Sequence, residues 1–343
     1  MKKIVLYLFL IFFVTKLYAQ KTTTMQPVTP NASPEAVDLL KYIYSVSGKK
    51  TLTGQHDQPL FRMAYYQRVY ELTGSHPVIH GFDFGFSERN TLDAINLRQQ
   101  LVDDAIELHK DGAIITIMWH AVPPTMEEPV TFHDAIQSQL TDEQWKEMLT
   151  PGSTLNLRWQ SQVDVIAFFL KQLRDAHVPV LWRPYHEMNG PWFWWGAKRG
   201  EDGYIKLYRM LYDRLVNYHK INNLVWVFNA NEINPPRVDE YKKFYPGDSF
   251  VDILATDVYH NNFSDVDYKS LKELAGGKLI ALGEVGKVPT EAQLKKQPDW
   301  AWFMAWSDLV LSSNSVDELK AIYDSEITLT REEKIAAEKS ASK

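Results

Sequence analysis

The chain has 343 residues and a mass of 39.7 kDa, with 37 Lys and Arg against 43 Asp and Glu for a formal charge of −6. A hydrophobic content of 45%, with 13% aromatics, excludes an intrinsically disordered chain, and the mildly acidic balance gives no electrostatic footprint for nucleic acid. The absence of Cys excludes disulfides, thiolate metal sites, a cysteine nucleophile and a lipidated N-terminal cysteine.

In chain order, Met1-Lys2-Lys3 is a short basic start, Ile4 to Val14 is an uninterrupted apolar run, and Leu17-Tyr18-Ala19 ends on a small residue. Residues 1–19 therefore read as a secretory signal peptide. The run is too short to span a bilayer comfortably, and an uncleaved anchor is the alternative. Residues 20–33, with Thr22 to Thr24, Pro27 and Pro30, read as a polar linker. Residues 34–332 read as one folded domain and residues 333–343 as a flexible tail, the charged, Ala-rich stretch from Arg331 to Lys343 being a frayed helix or a tail. The expectation is a periplasmic or secreted monomer with no membrane contact once the signal is cleaved.

Eight short apolar, β-branched runs follow: Lys50–Thr53, Val78–Phe82, Ala113–Trp119, Val180–Arg183, Leu224–Asn229, Ile253–Asp257, Leu279–Gly283 and Trp302–Trp306. Helical patterns follow most of them, for example at Asn90–Lys110, Gln162–Ala176, Gly203–Lys220 and Ser315–Asp324. Strand–helix alternation repeated eight times predicts a single-domain (β/α)₈ TIM barrel. An open doubly wound sheet is the alternative, but no Gly-rich phosphate turn follows the first strand.

The strand ends carry the unusual residues. They are His56; His80 and Asp83; Trp119 and His120; Arg183 to Glu187; Asn229; Asp257 and Tyr259; Glu284; and Trp306. Chemistry in this fold sits at the carboxyl ends of the strands. Two carboxylates stand out. Glu187 follows the fourth strand and is trailed by Trp192, Phe193, Trp194 and Trp195, whose apolar walls favour a protonated acid. Glu284 follows the seventh strand between Gly283 and Val285-Gly286. Cleavage of a glycosidic bond needs such a pair.

Three segments resemble glycoside hydrolase family 26, whose best-known members are endo-β-1,4-mannanases. They are Thr53-Gly54-Gln55-His56, Arg183-Pro184-Tyr185-His186-Glu187-Met188-Asn189-Gly190 with Trp192-Phe193-Trp194-Trp195-Gly196, and Gly283-Glu284. The resemblance covers about Pro34 to Glu332. It implies a retaining barrel glycosidase with Glu187 as general acid/base and Glu284 as nucleophile. It also implies that His186 contacts the sugar and holds the acid, that Tyr259 hydrogen-bonds the nucleophile, that His120 and Trp192 line subsites beside the scissile bond, and that Trp306 is an aromatic platform. Many relatives carry Arg directly after that Trp, whereas here the residue is Ser307, which bears on the distal glycone subsite.

The implied partner is a β-mannan polysaccharide or oligosaccharide, with no cofactor and no metal. A β-1,3-xylanase or a mixed-linkage β-glucanase is the alternative within the family. Outside it stand a metal-dependent barrel hydrolase using His56, His80, His120 and His186, and a non-catalytic glycan-binding barrel. In the glycosidase reading those histidines donate to sugar hydroxyls. The segment Ala121–Gln160 reads as long loops able to close one end of the cleft, with His133, Trp145 and Trp159 as packing residues.

Overall fold

The computed structural model describes residues 25–87, 93–234, 236–260 and 263–341. The expected signal segment and the first residues of the linker lie outside the described residues. Eight parallel strands form a closed barrel. Strand β1 comes in two pieces, Thr51–Leu52 and Gly54–His56. It is followed by β2 (Ile79–Asp83), β3 (Ile114–Trp119), β4 (Val180–Pro184), β5 (Leu224–Asn231), β6 (Ile253–Val258), β7 (Leu279–Val285) and β8 (Trp300–Trp306). Each strand pairs with the next, and β8 pairs with both β7 and β1, closing the ring. A short β9 (Thr328–Leu329) pairs in parallel with the first piece of β1.

The helices are α1 (Pro34–Val46), α2 (Ala64–Thr73), α3 (Arg98–Lys110), α4 (Asp142–Met148), α5 (Thr154–Asp175), α6 (Lys206–Tyr212), α7 (Asp265–Ala275), α8 (Glu291–Lys296), α9 (Leu309–Ser312), α10 (Val316–Tyr323) and α11 (Arg331–Ala341). Side-chain oxygens start several of them. Ser153 caps α5, Ser264 caps α7, and Ser315 forms a reciprocal capping box with Glu318 on α10.

Both faces of a barrel sheet are buried, which is why its strands are near-continuous apolar runs. Inward residues Leu52, Ile79, Ile114, Leu181, Val225, Ile253, Leu279 and Trp302 form one cluster inside the barrel floor. Outward residues Phe82, Ile115, Ile117, Trp182, Trp226, Phe228 and Leu254 belong to a second cluster between sheet and helices. Trp182 and Trp226 are thus packing residues of the barrel wall.

Several expectations change in the structure. The helix expected from Asn90 begins at Arg98, and the last strand begins two residues early, at Trp300. The segment read as long loops holds α4 and the first turns of α5. Trp145 and Trp159 are buried there, with their indole N–H groups donating to the Asp202 carbonyl and to the Tyr185 hydroxyl. The end of the expected linker is docked. Val28 N–H donates to Asp252 at 2.7 Å, the Val28 carbonyl accepts from Tyr212, and Thr29 Oγ1 donates to the Leu224 carbonyl. Of the two readings of the C-terminal stretch, the helix holds for the described residues: α11 is docked, with Lys334 over the Tyr42 ring and Glu332 accepting from His76 N–H.

Candidate active site

At the mouth of the barrel the inward positions change from apolar to polar. Along β4, Leu181 is followed two positions later by Arg183, as the strand period of two requires for one face. Beyond β4 the chain turns sharply. Tyr185 and Glu187 both adopt the left-handed region, with φ of 48° and 53°. Non-glycine residues there are uncommon and need surrounding contacts to hold them. Here Glu187 N–H donates to the Asn229 carbonyl at 2.8 Å, and the Trp195 indole donates to the His186 carbonyl at 2.8 Å.

Glu284 reaches the same space by a slip in register. In β7, Leu279 and Ala281 face inward and Ile280 and Leu282 outward. Simple alternation would send Glu284 outward. The pairing with β6 passes from Thr256–Leu282 directly to Asp257–Glu284, leaving Gly283 as an extra residue, and Glu284 turns inward. Only glycine fits at that position, because a Cβ on Gly283 would lie 1.8 Å from Asn229 Oδ1 and 2.7 Å from Asp257 Oδ1.

The two carboxylates sit in different surroundings. Both terminal nitrogens of Arg183 donate to Glu284 Oε1, each at 3.1 Å, and the Tyr259 hydroxyl donates to Oε2 at 2.5 Å. Glu187 accepts from two neutral donors, Trp192 Nε1 at 2.6 Å and Asn231 Nδ2 at 2.8 Å. Burial, reinforced by the Glu284 charge, pushes the Glu187 carboxyl up to about 7. A third acid, Asp257, is fully buried and accepts from Asn229 Nδ2 at 2.7 Å. Burial and then the two glutamates push it well above its ordinary range. One oxygen from each of Glu187, Asp257 and Glu284 lies within 4.8 Å of the others. Among the described residues this trio has the spacing to hold a cation, and the Arg183 guanidinium already supplies positive charge beside it.

All seven residues singled out from the sequence line one cavity of about 430 Å³. His120, His186, Glu187, Trp192, Tyr259, Glu284 and Trp306 share it with Asp83, Phe86, Phe132, Phe193 and Asn231. His120 Nδ1 lies 2.7 Å from Asp83 Oδ2, and Asp83 also accepts from the backbone N–H groups of Gly85, Phe86 and His120. Burial raises the Asp83 carboxyl, but His120 and these donors outweigh it and hold the group below its ordinary value. Burial, then His120 and Arg183, hold the His186 imidazole well below its ordinary value, which leaves it neutral.

Two of the four strand-end histidines are elsewhere. His56 is fully buried, stacked on Trp306 with ring centroids 4.2 Å apart and planes 9° from parallel. His80 is fully buried against Tyr66 and Phe82. Neither lines the cavity, whereas His120 and His186 do, and no metal-holding group among the described residues includes a histidine. Asn231 and Trp192, rather than His186, hold the Glu187 carboxylate. Trp194, Trp195, Trp300 and Trp302 are buried support. Ser307 is 1% exposed and does not line the cavity, whereas Leu309 does. In the sequence Arg183, Asn229, Asp83 and Asp257 stand out only as strand ends, and their polarity on inward positions is the available signal. Asn231 lies two residues past the predicted strand and carried no such signal.

A closed parallel barrel whose mouth pairs one carboxylate locked to a cation with a second held near neutrality is the architecture of a barrel glycosidase. The family model described as glycosyl hydrolase family 26 matches residues 28–333. A mannan endo-1,4-beta-mannosidase of Thermothelomyces thermophilus is 37% identical over 89% of this chain, which spans 62% of that relative's length. A mannan endo-1,4-beta-mannosidase of Bacillus subtilis is 28% identical, over 83% of each chain. The solved structure of GH26A from a Muricauda species superposes with a TM-score of 0.84 at 45% identity, covering 89% of this chain and 99% of that one. The chain belongs to glycosyl hydrolase family 26.

Proposed function

We propose that the protein is an exported, monomeric mannan endo-1,4-β-mannosidase that works with retention of anomeric configuration. The observation that carries the mechanism is the approach of Glu187 and Glu284 oxygens to within 4.8 Å. Retaining enzymes hold their carboxyl groups about 5–5.5 Å apart, and inverting enzymes about 6.5–9.5 Å apart to admit a water. The unequal surroundings support a division of roles. Glu284, paired with Arg183 and Tyr259, is the anionic nucleophile. Glu187, held near neutrality, protonates the leaving oxygen.

Attack by Glu284 on the anomeric carbon gives a glycosyl ester and releases the aglycone. The ester carries no charge, so the push that Glu284 exerts on Glu187 disappears. Glu187 then becomes a stronger acid, and its carboxylate takes the proton of the incoming water. The Trp306 indole, backed by His56, offers a flat apolar face to a sugar ring, and Trp192 can meet the leaving portion while it positions the acid.

Mannan as substrate rests on the names of the relatives, and export rests on the pattern of residues 1–19. The test is a time-resolved product profile on β-mannan, mixed-linkage β-glucan and β-1,3-xylan, with the anomer of the first product followed by NMR. The expected result is early release of mixed β-configured manno-oligosaccharides. Preferential turnover of either other polymer would replace the substrate assignment, and first-formed α-anomers would overturn retention.

A further inference from the structure

Glu232 follows Asn231 past the end of β5, is 2% exposed, and is not among the side chains lining the cavity. Its Oε1 accepts from the backbone N–H of Tyr259 and of His260, each at 3.0 Å, and from His260 Nδ1 at 2.5 Å. Its own N–H donates to the Asp257 carbonyl at 2.9 Å. The Arg237 Nη1 donor lies 2.8 Å from His260 Nε2, which makes that nitrogen the acceptor and Nδ1 the donor toward Glu232. The ladder between β6 and β7 ends at Val258–Val285, so the backbone just past it lacks a strand partner. A single carboxylate oxygen supplies that partner, and the next side chain is the Tyr259 phenol that meets Glu284.

We propose that Glu232 is a positioning residue for the reaction. By fixing the Tyr259 backbone, it places the phenol against Glu284, and the Arg237–His260 pair holds the carboxylate in register. Arg183, Asp257 and Glu187 also face Glu284, but from β4, β6 and the turn after β4, so Tyr259 is the contact that Glu232 governs. The inference rests on Glu284 being the nucleophile. A buried carboxylate that merely caps a strand end would affect folding and leave turnover untouched.

A double-mutant cycle with Tyr259→Phe separates the two roles. Glu232→Asp keeps the charge but withdraws the oxygen by one methylene. It should lower kcat on a soluble manno-oligosaccharide on the order of tenfold, with KM within about twofold, since small misplacement near the reacting groups is costly. Glu232→Gln keeps an acceptor oxygen and should recover most of that loss. In the Tyr259→Phe background, Glu232→Asp should cost less than about twofold. If Glu232→Asp does not fold, His260→Ala, which removes only the buttress, enters the same cycle with the same expectation. Unchanged kcat in the single variant, or the full loss persisting without the phenol, overturns the proposal. Activity surviving in Glu284→Ala would instead remove the nucleophile assignment on which it stands, so the two failures are distinguishable.

Discussion

Leu181 and Arg183 stand two positions apart on β4, point the same way, and occupy opposite environments. Leu181 belongs to the apolar cluster of the barrel floor, with Leu52, Ile79, Ile114 and Val225. Arg183 is equally buried but sits among Asn229, Asp257 and Glu284. The floor gains stability from burying apolar surface and demands little of exact chemistry. The mouth brings three carboxylates together, one of them paired with the Arg183 guanidinium, and polar atoms such as Arg183 Nε and Asp257 Oδ1 have no partner among the described residues. Desolvating such groups costs stability unless partners compensate. The same strands therefore carry the stabilising end and the reactive end of the molecule, a few residues apart.

The comparison predicts that changes at the mouth act on rate and changes at the floor act on folding. The largest effect should be at Glu284. Replacing it by Ala should lower kcat on the order of 10⁴-fold or more, as loss of a covalent nucleophile does elsewhere. Azide should enter from the vacated face and give an α-glycosyl azide, detected by NMR. A variant with most of its activity intact would place the nucleophile elsewhere and dissolve the contrast.

The floor should behave in the opposite way. Leu181→Ala removes a fully buried side chain and should cost about 2–5 kcal/mol of stability, read from denaturant unfolding. Its kcat, measured well below the melting temperature, should stay within about twofold of the unsubstituted protein. A comparable fall in kcat would show that floor packing tunes the site, and the division between the two ends would blur.

The two ends also differed in how legible they were. The floor could be read from sequence because β-branched runs and a strand period of two are local signals. The barrel followed from eight such runs, each in register with the structure to within a few residues. The seven candidate residues that line the cavity stand out in the sequence because they are polar or aromatic at or just past strand ends, and because their segments match a family. What stayed hidden was set by contacts between distant segments. Nothing local shows that His56 lies under Trp306 while His120 faces the cavity, since both follow strand ends. The inward turn of Glu284 depends on a slip against β6 that the β7 sequence alone does not state. Residues 28–33 look like a linker by composition, yet Asp252 and Leu224 from the barrel floor tie them down.

The smallest effect of the three sharpens the comparison, because it asks whether the mouth costs stability at all. The Glu187 carboxyl stands near 7 in the folded protein against an ordinary value of 4.5, chiefly through burial and then Glu284. A raised folded value means that the folded state binds the proton more tightly than the unfolded one. The stability this contributes is full below about pH 4.5 and is lost as pH rises through about 7. The loss amounts to about 3 kcal/mol. Glu187→Gln cannot ionise, so it escapes the loss while keeping a side chain of the same shape between Trp192 and Asn231. It will also lose part of its pairing with those two donors, but that cost does not vary with pH. The difference in unfolding free energy between Glu187→Gln and the unsubstituted protein should therefore shift in favour of the variant from pH 4 to pH 8, with most of the change between pH 5 and 7. Urea titrations at pH 4, 6 and 8 measure it. A difference that stays flat would mean that the acid is not held near neutrality, and the mouth would then be reactive without being destabilised.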